Sequence, residues 1–319
     1  MVEKHLGNQL KHLVTQGSYD DFLEFHSMTY GKEFEFLADI VQALLSMTTS
    51  ITLPFEAIDI CGTGGDSSNL KTTNISTISA FVLASMGVKV AKHGGRAVSS
   101  NSGSLDFLSA LKIPAIDPIV SITKFGVCFL DARKYHNSFK HISPFRQKFG
   151  QKTIFNMLGP LINPANVSHQ MVGISFQNAM ESYANVLQGL GRSNVAVVQS
   201  KSGFDELLSF ESNNVVFLEN GEMRREVIDP SQFKMPSSID DSIIGGTPQE
   251  NAENALRFFE NSIENALFHT ICLNCALSAK IFGTVKTIGD GIELSRSAIF
   301  AKTPLDILHG MSCATIPNS

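Results

Sequence analysis

The stretch 58–104, IDICGTGGDSSNLKTTNISTISAFVLASMGVKVAKHGGRAVSSNSGS, constrains the fold more tightly than any other part of the chain. Short apolar runs alternate in it with three segments rich in glycine and hydroxyls: GTGGD at 62–66, NIST at 74–77 and KHGGRAVSS at 92–100. Apolar residues 57–60 running into glycines predict a buried strand that enters a tight loop. Residues 76–86 have helical character and stop at Gly87, a natural residue to follow a helix. Residues 88–91 predict a second strand, which carries Lys92 and His93 into another loop. Strand, glycine loop, helix, strand, glycine loop is half of an α/β layout suited to phosphate. Gly62, Gly64 and Gly65 let the backbone approach an anion, and the N–H groups of a helix start at Asn74, Ile75, Ser76 and Thr77 point at it. Lys92 adds a point charge, and Ser76, Thr77, Ser99, Ser100 and Ser104 add hydroxyl donors. GTGGD alone describes an ordinary turn. Three donor-rich loops that can converge on one polyanion describe a site.

Around this block the chain predicts further α/β structure. Residues 1–50 read as helices, and 34–47 carry apolar side chains at helical spacing, wide enough to face a core or a partner subunit. A helical N-terminal domain over 1–52 and an α/β domain over 53–319 follow. Asp117-Pro118 is a helix start, with a stop near Gly126 and a strand at 127–130. Residues 135–149 predict a helix in which Pro144 marks either a break or a fresh start. Residues 153–165 predict a connector with little regular structure, the end of a hinge region over 134–165. Strands at 170–175 and 195–199 flank a helix at 179–190, so a mixed, mostly parallel sheet covered by helices is expected. Asn220-Gly221 between 215–218 and 222–228 predicts a hairpin, and the chain from 247 onward predicts helices.

With 319 residues the chain is long enough to bury one large core or two unequal ones. A formal charge of −5 gives no basic footprint, which argues against a nucleic-acid partner. The N-terminus lacks the apolar core of a signal peptide and no apolar run approaches spanning length, so no membrane partner and a cytoplasmic location are expected. The five cysteines are an odd number and predict no disulfide framework. Cys272 and Cys275 form a CxxC inside an apolar helical run without a second pair at zinc spacing, and read as core residues.

Two further features carry chemistry. Asp205-Glu206 follow Gly203 at the end of a predicted strand. Such a pair is either a solvated acidic turn or a set of hard oxygen ligands for magnesium. Arg146 is either a surface helix arginine or a bidentate partner for a carboxylate.

The glycine block resembles the anthranilate phosphoribosyltransferase family, whose members show GTGGD, N-x-S-T and KHGNR-x-x-SS in this order. The resemblance extends from about 57 to 305. It takes in KYHNSFKHISPFRQKFGQKTIFNMLGPLINPA at 134–165, GFDELLS at 203–209 and GDGIELSRSAIFA at 289–301, and 154–164 is its most specific part. It implies a fold of the nucleoside phosphorylase and phosphoribosyltransferase type, with a small helical domain that pairs subunits into a homodimer. It also implies transfer of phosphoribose from 5-phosphoribosyl-1-pyrophosphate to the amino group of anthranilate, with release of pyrophosphate, in tryptophan synthesis.

By motif, the donor contacts are Gly62, Gly65, Asp66, Thr72, Asn74, Ile75, Ser76, Thr77, Lys92, Ser99, Ser100 and Ser104. Ser76, Asp205 and Glu206 would hold magnesium, two ions, on the pyrophosphate. Arg146 would take the anthranilate carboxylate, with Gly62, Gly95 and His136 on the acceptor side. His93 or His136 could line the acceptor pocket or assist a proton transfer, and His93, inside KHGGR, is favoured as catalytic. The chain departs from the pattern in three places. Gly95 replaces the family's asparagine, which contacts anthranilate. The loop between Asp66 and Asn74 is two residues longer than usual, and the N-terminal segment is shorter. Two rival functions are a pyrimidine nucleoside phosphorylase, whose base-gripping lysine, arginine and serine pattern is missing, and a non-catalytic relative binding ligand or nucleic acid. Intact GTGGD, NIST and the acidic pair argue against the second.

Overall fold

The computed structural model describes residues 2–64, 71–96, 102–137, 139–176, 178–236 and 238–314, with side chains from residue 6 onward. Three helices come first: α1 (Val2–Gln16), α2 (Tyr19–Thr29) and α3 (Glu33–Leu45). Ser18 and Asp21 close a capping box at the start of α2, satisfying two of its orphan donors. The chain then builds β1 (Ile58–Gly62), α4 (Ile75–Ser85), β2 (Val90–Gly94), α5 (Ser104–Ala110), α6 (Pro118–Phe125) and β3 (Val127–Asp131). α6 starts where Asp117 caps two N–H groups and stops at Gly126 in the left-handed region, as its sequence predicts. Next come α7 (Ala132–Tyr135), α8 (Phe139–Phe149), α9 (Phe155–Leu158), β4 (His169–Gly173), α10 (Met180–Gly189) and β5 (Asn194–Ser200). The hairpin β6 (Asn213–Glu219) and β7 (Glu222–Ile228) turns at Asn220 and Gly221, both with positive φ. Helices α11 (Pro248–Asn261), α12 (Ala266–Phe282), α13 (Ile288–Phe300) and α14 (Thr303–Ser312) complete the described chain.

The strands form one sheet in the order β3-β2-β1-β4-β5-β6-β7, parallel from β3 to β5 and antiparallel through the hairpin. Both faces are covered, so strands read as nearly continuous apolar runs whose side chains alternate between two cores. Ala196, Val198, Val215 and Phe217 join α4, α5 and α11–α14 in one core. Val195, Val197, Val216 and Leu218 join α1–α3 and α8–α10 in the other. The helices of the first 45 residues therefore share a core with the second face of the sheet. Cys272 and Cys275 lie fully buried on α12, among the core residues.

Two expectations are corrected. α8 runs through Pro144 without a break. The bond lost there is offset by packing: Ile142 is buried, and Phe145 and Phe149 meet the ring of Phe22 on α2. The stretch 153–165 is not irregular, since α9 and a 3-10 turn (Gly159–Ile162) fill most of it and bury Phe155, Met157, Leu158, Leu161 and Ile162. The strands also run further toward the site than predicted, so that Gly62 ends β1 while Lys92 and His93 are ladder residues of β2 beside Phe129 and Leu130.

Candidate active site

The C-terminal ends of β1 and β2 open, with the N-terminus of α4, onto a cavity of about 390 Å³. Gly62 and Gly173 sit opposite each other in the ladder. A Cβ on either would overlap Asp205, so these two glycines clear the floor for the turn that carries the acidic pair. That turn is pinned from below. Phe204 and Leu207 are buried, the Phe204 N–H donates to Ser200 Oγ (3.0 Å) and the Leu207 N–H to Asn274 Oδ1 (3.3 Å). Above it, the N–H of Gly64, at φ +67°, donates to Asp205 Oδ2 (2.7 Å).

Lys92 is buried, and its Nζ donates to the Ile60 carbonyl (2.6 Å) and to Ser76 Oγ (3.0 Å). Burial pulls its pKa down, and the surrounding acidic groups, including Asp59, Asp205 and Glu206, pull it back up. Asp59 lies beneath, on β1, where its Oδ1 accepts the His93 N–H (3.1 Å) and Oδ2 accepts from Gln170 (3.3 Å). Burial raises the pKa of this carboxyl. α4 starts at Asn74, whose side chain makes no cap, and Asn74, Ile75, Ser76 and Thr77 all line the cavity.

The rest of the lining is sparser in polar contacts. Arg146 comes from α8, is desolvated enough to lower its pKa, and makes no ion pair or side-chain hydrogen bond with the described residues. Phe155, Gly159 and Gly95 line the same cavity. His93 lines the cavity and donates through Nδ1–H to the Gly159 carbonyl (3.0 Å), an acceptor that fixes the tautomer. Burial drives its pKa down to about 3, so the ring is neutral and its buried Nε2, without a partner among the described residues, is an acceptor. His136 is not on the cavity wall. It stands behind His93, ring centroids 5.0 Å apart, with its Nδ1 3.0 Å from Thr48 Oγ1, and burial lowers its pKa to about 4.

Thus the residues singled out by sequence, Gly62, Thr72, Asn74, Ile75, Ser76, Thr77, Lys92, His93, Gly95, Ser104, Arg146, Asp205 and Glu206, meet at one cavity. Gly65, Asp66, Ser99 and Ser100 lie outside the described residues. Sequence reading missed Gly245, Gly246 and Asn251, which also line it. The signal was a Gly-Gly pair just before Thr247-Pro248, where Thr247 and Glu250 form the capping box of α11. Gly245 donates its N–H to the Lys71 carbonyl (2.7 Å), and a Cβ there would overlap the Thr72 carbonyl.

Residues 55–301 match the model of the class described as glycosyl transferase family, a/b domain. Within that class, the chain is 37% identical to the anthranilate phosphoribosyltransferase of Lactococcus lactis subsp. cremoris (strain MG1363), over 99% of this chain and 96% of the relative. It is 39% identical to that of Serratia proteamaculans (strain 568), over 79% of this chain and 77% of the relative. The chain belongs to the anthranilate phosphoribosyltransferase family. Two solved structures carry the same fold. The anthranilate phosphoribosyltransferase of Thermus thermophilus superposes with a TM-score of 0.86 at 28% identity, covering 97% of this chain and 94% of that one. The Saccharomyces cerevisiae enzyme in complex with PRPP and Mg gives 0.81 at 25%, covering 97% and 91%. Among the described residues no helix is long and apolar enough to cross a membrane.

Proposed function

We propose that this chain transfers phosphoribose from 5-phosphoribosyl-1-pyrophosphate to the amino group of anthranilate, releasing pyrophosphate in tryptophan synthesis. The observation that carries the reading is the single cavity that all these residues line. We assign the start of α4, Lys92 and the Asp205-Glu206 turn to a donor wall, and Arg146 to an acceptor wall. A pyrophosphate fits the first wall, where helix N–H groups and a buried ammonium favour negative charge. A benzoate fits the second, because a guanidinium without an ion partner among the described residues matches a carboxylate bidentately.

The donor set of two carboxylates and a hydroxyl beside an open cavity fits magnesium, which keeps several waters and takes hard oxygen ligands. Asp205, Glu206 and Ser76 would hold it, with two ions expected, and the metal would neutralise charge that develops on pyrophosphate. The chain's own residues do the rest. The carbon–oxygen bond to pyrophosphate breaks, a carbon–nitrogen bond to the amine forms, and the amine gives up one proton. Lys92, the Ser76 N–H and the positive pole of α4 stabilise the leaving group. Arg146 fixes the ring so that the amine faces the ribose, converting encounter into positioning. His93 offers a neutral acceptor nitrogen to the amine proton, a task that needs little basicity because the nitrogen becomes strongly acidic on attack. Gly65, Asp66, Thr72, Ser99, Ser100 and Ser104 belong to the donor side of this reading, and Gly62 and Gly95 to the acceptor side, with His136 supporting His93 from behind. Residues 1–52 form the helical unit through which two copies pair, and the enzyme works in the cytoplasm.

The test is loss of anthranilate fluorescence with phosphoribosyl pyrophosphate and magnesium. Turnover by the wild type that falls by a factor of about 1000 or more in Asp205→Ala/Glu206→Ala supports both activity and metal assignment. An inactive wild type that still binds the donor in a magnesium-dependent way overturns the acceptor, and one that binds neither overturns the function.

A further inference from the structure

We infer, on the reading of the cavity as a phosphoribosyl pyrophosphate site, that Asn251 is a positioning residue for the donor: it keeps the Asn74 side chain from capping α4, so the Ser76 N–H stays available to the ligand. The Ile75 and Thr77 N–H groups donate to the Thr73 and Asn74 carbonyls (2.7 and 3.0 Å). Asn251 stands in the first turn of α11 and is 2% exposed. The Gly246 N–H donates to its Oδ1 (2.7 Å), and an N–H can only donate, so the amide orientation is fixed. Its Nδ2 therefore faces Asn74, and donates to Asn74 Oδ1 (2.9 Å) across 177 residues of chain. Ser102 Oγ donates to the same oxygen (2.9 Å), and Asn74 Nδ2 points to the Ser102 carbonyl (3.3 Å). One backbone N–H thus orders the whole relay.

The consequence lies in what Asn74 does not do. Asparagine at a helix N-cap ordinarily turns its oxygen onto the N–H of the second or third helical residue, here Ser76 or Thr77. In this chain it makes no such bond, because two donors hold its oxygen elsewhere. With that side-chain cap withheld, α4 presents the Ser76 N–H and its positive pole to an anion. The strap that carries Asn251 is itself registered on the donor loop. The Thr73 N–H donates to the Ile243 carbonyl (3.0 Å), Gly245 N–H to Lys71 (2.7 Å), and Thr72 bridges Ile244. With the Asn251 donor gone, Asn74 can rotate back and cap α4, which preserves the fold and covers the Ser76 N–H that the donor needs.

The experiment is a mutant cycle of Asn251→Asp and Asn74→Ala, read by steady-state kinetics and thermal melting. Asp keeps the acceptor for Gly246 and loses the donor to Asn74. Asn251→Asp is expected to raise the KM for phosphoribosyl pyrophosphate about tenfold or more, with the KM for anthranilate within about twofold and the melting temperature held. In the Asn74→Ala background the same change is expected to alter the KM by less than about twofold, because the group it acts through is absent. An equal effect in both backgrounds, or an unchanged donor KM in Asn251→Asp, overturns the inference. Calorimetric titration of the same proteins with pyrophosphate and magnesium reads donor-side affinity without turnover. An inactive wild type therefore counts against the proposed function alone, while Asn251→Asp binding as tightly as wild type counts against the role of Asn251. Asn251→Gln supplies a second variant should the carboxylate prevent folding. It keeps a donor but moves it outward by one methylene, and is expected to weaken pyrophosphate binding in the wild-type background only.

Discussion

The two walls of the cavity are built on opposite principles. The donor wall is made mostly of backbone and short side chains at strand ends, fastened by hydrogen bonds of 2.6 to 3.1 Å among Gly64, Asp205, Lys92, Ile60, Ser76, Asp59 and His93. The acceptor wall is made of side chains from helices. Arg146 comes from α8, which is held in place by ring packing of Phe145 and Phe149 on Phe22 rather than by a polar network. Polyphosphate recognition needs many oriented N–H groups, which strand ends and a helix start supply. Recognition of a small aromatic acid needs shape and one charge, which helix packing supplies. The donor wall should therefore be intolerant of added atoms, and the acceptor wall tolerant of them.

Gly173→Ala breaks this contrast most severely. Its Cβ would overlap the Asp205 carbonyl, so the acidic turn must leave its seat. Turnover is expected to fall by a factor of about 1000, and near-normal kcat in this variant would show that the turn is not held as described. Arg146→Ala acts on the other wall. It should raise the KM for anthranilate by about 100-fold while leaving that for phosphoribosyl pyrophosphate within about threefold, and a shift in both would erase the division between walls.

The histidine pair at the junction gives a smaller, pH-dependent effect. Burial pushes His93 from 6.5 to about 3 and His136 to about 4, so both stay neutral in the folded protein while the unfolded chain takes up protons. Their contribution is fully present above the unfolded pKa of 6.5 and is lost as pH falls from there toward 4 and 3. Chemical denaturation at pH 7 and pH 5 should show a loss that is smaller in His136→Gln, by at most about 1.4 kcal/mol per pH unit. Gly95→Asn is the mildest change. The nearest atom to an added Cβ is the Ala132 Cβ at 3.9 Å, and the residue has an ordinary backbone conformation. Stability should stay within about 0.5 kcal/mol and anthranilate KM should fall a few-fold, whereas a large loss of stability would show the acceptor wall to be as tight as the donor wall.

The same contrast explains what was legible beforehand. Residues of the donor wall stand in short, contiguous motifs whose glycines and hydroxyls have a local reason to be there, and Gly62, Asn74 to Thr77, Lys92 and the acidic pair meet where the motifs placed them. The strap was not legible, because Gly245 and Asn251 act on Thr72 and Asn74 from far along the chain, and no local pattern records a partner more than 170 residues away. Pro144 misled for a related reason. Local propensity argues for a break, and the aromatic contacts that outweigh it come from α2. His136 was drawn to the acceptor by its neighbours in sequence, but the bond to Thr48 and the ring of His93 place it one layer back.

The strap from Ile243 to Asn251 also bears on how the chain matures during synthesis. β1 is central in the sheet, yet its partner β4 is made more than a hundred residues after it, and the strap later still. A nascent chain released before the strap emerges would carry the glycine block, the lysine and the acidic pair but would lack α11–α14, the helices that share a core with α4. Competence to bind the donor would then arrive late, when the last third of the chain folds down onto the glycine block made long before it.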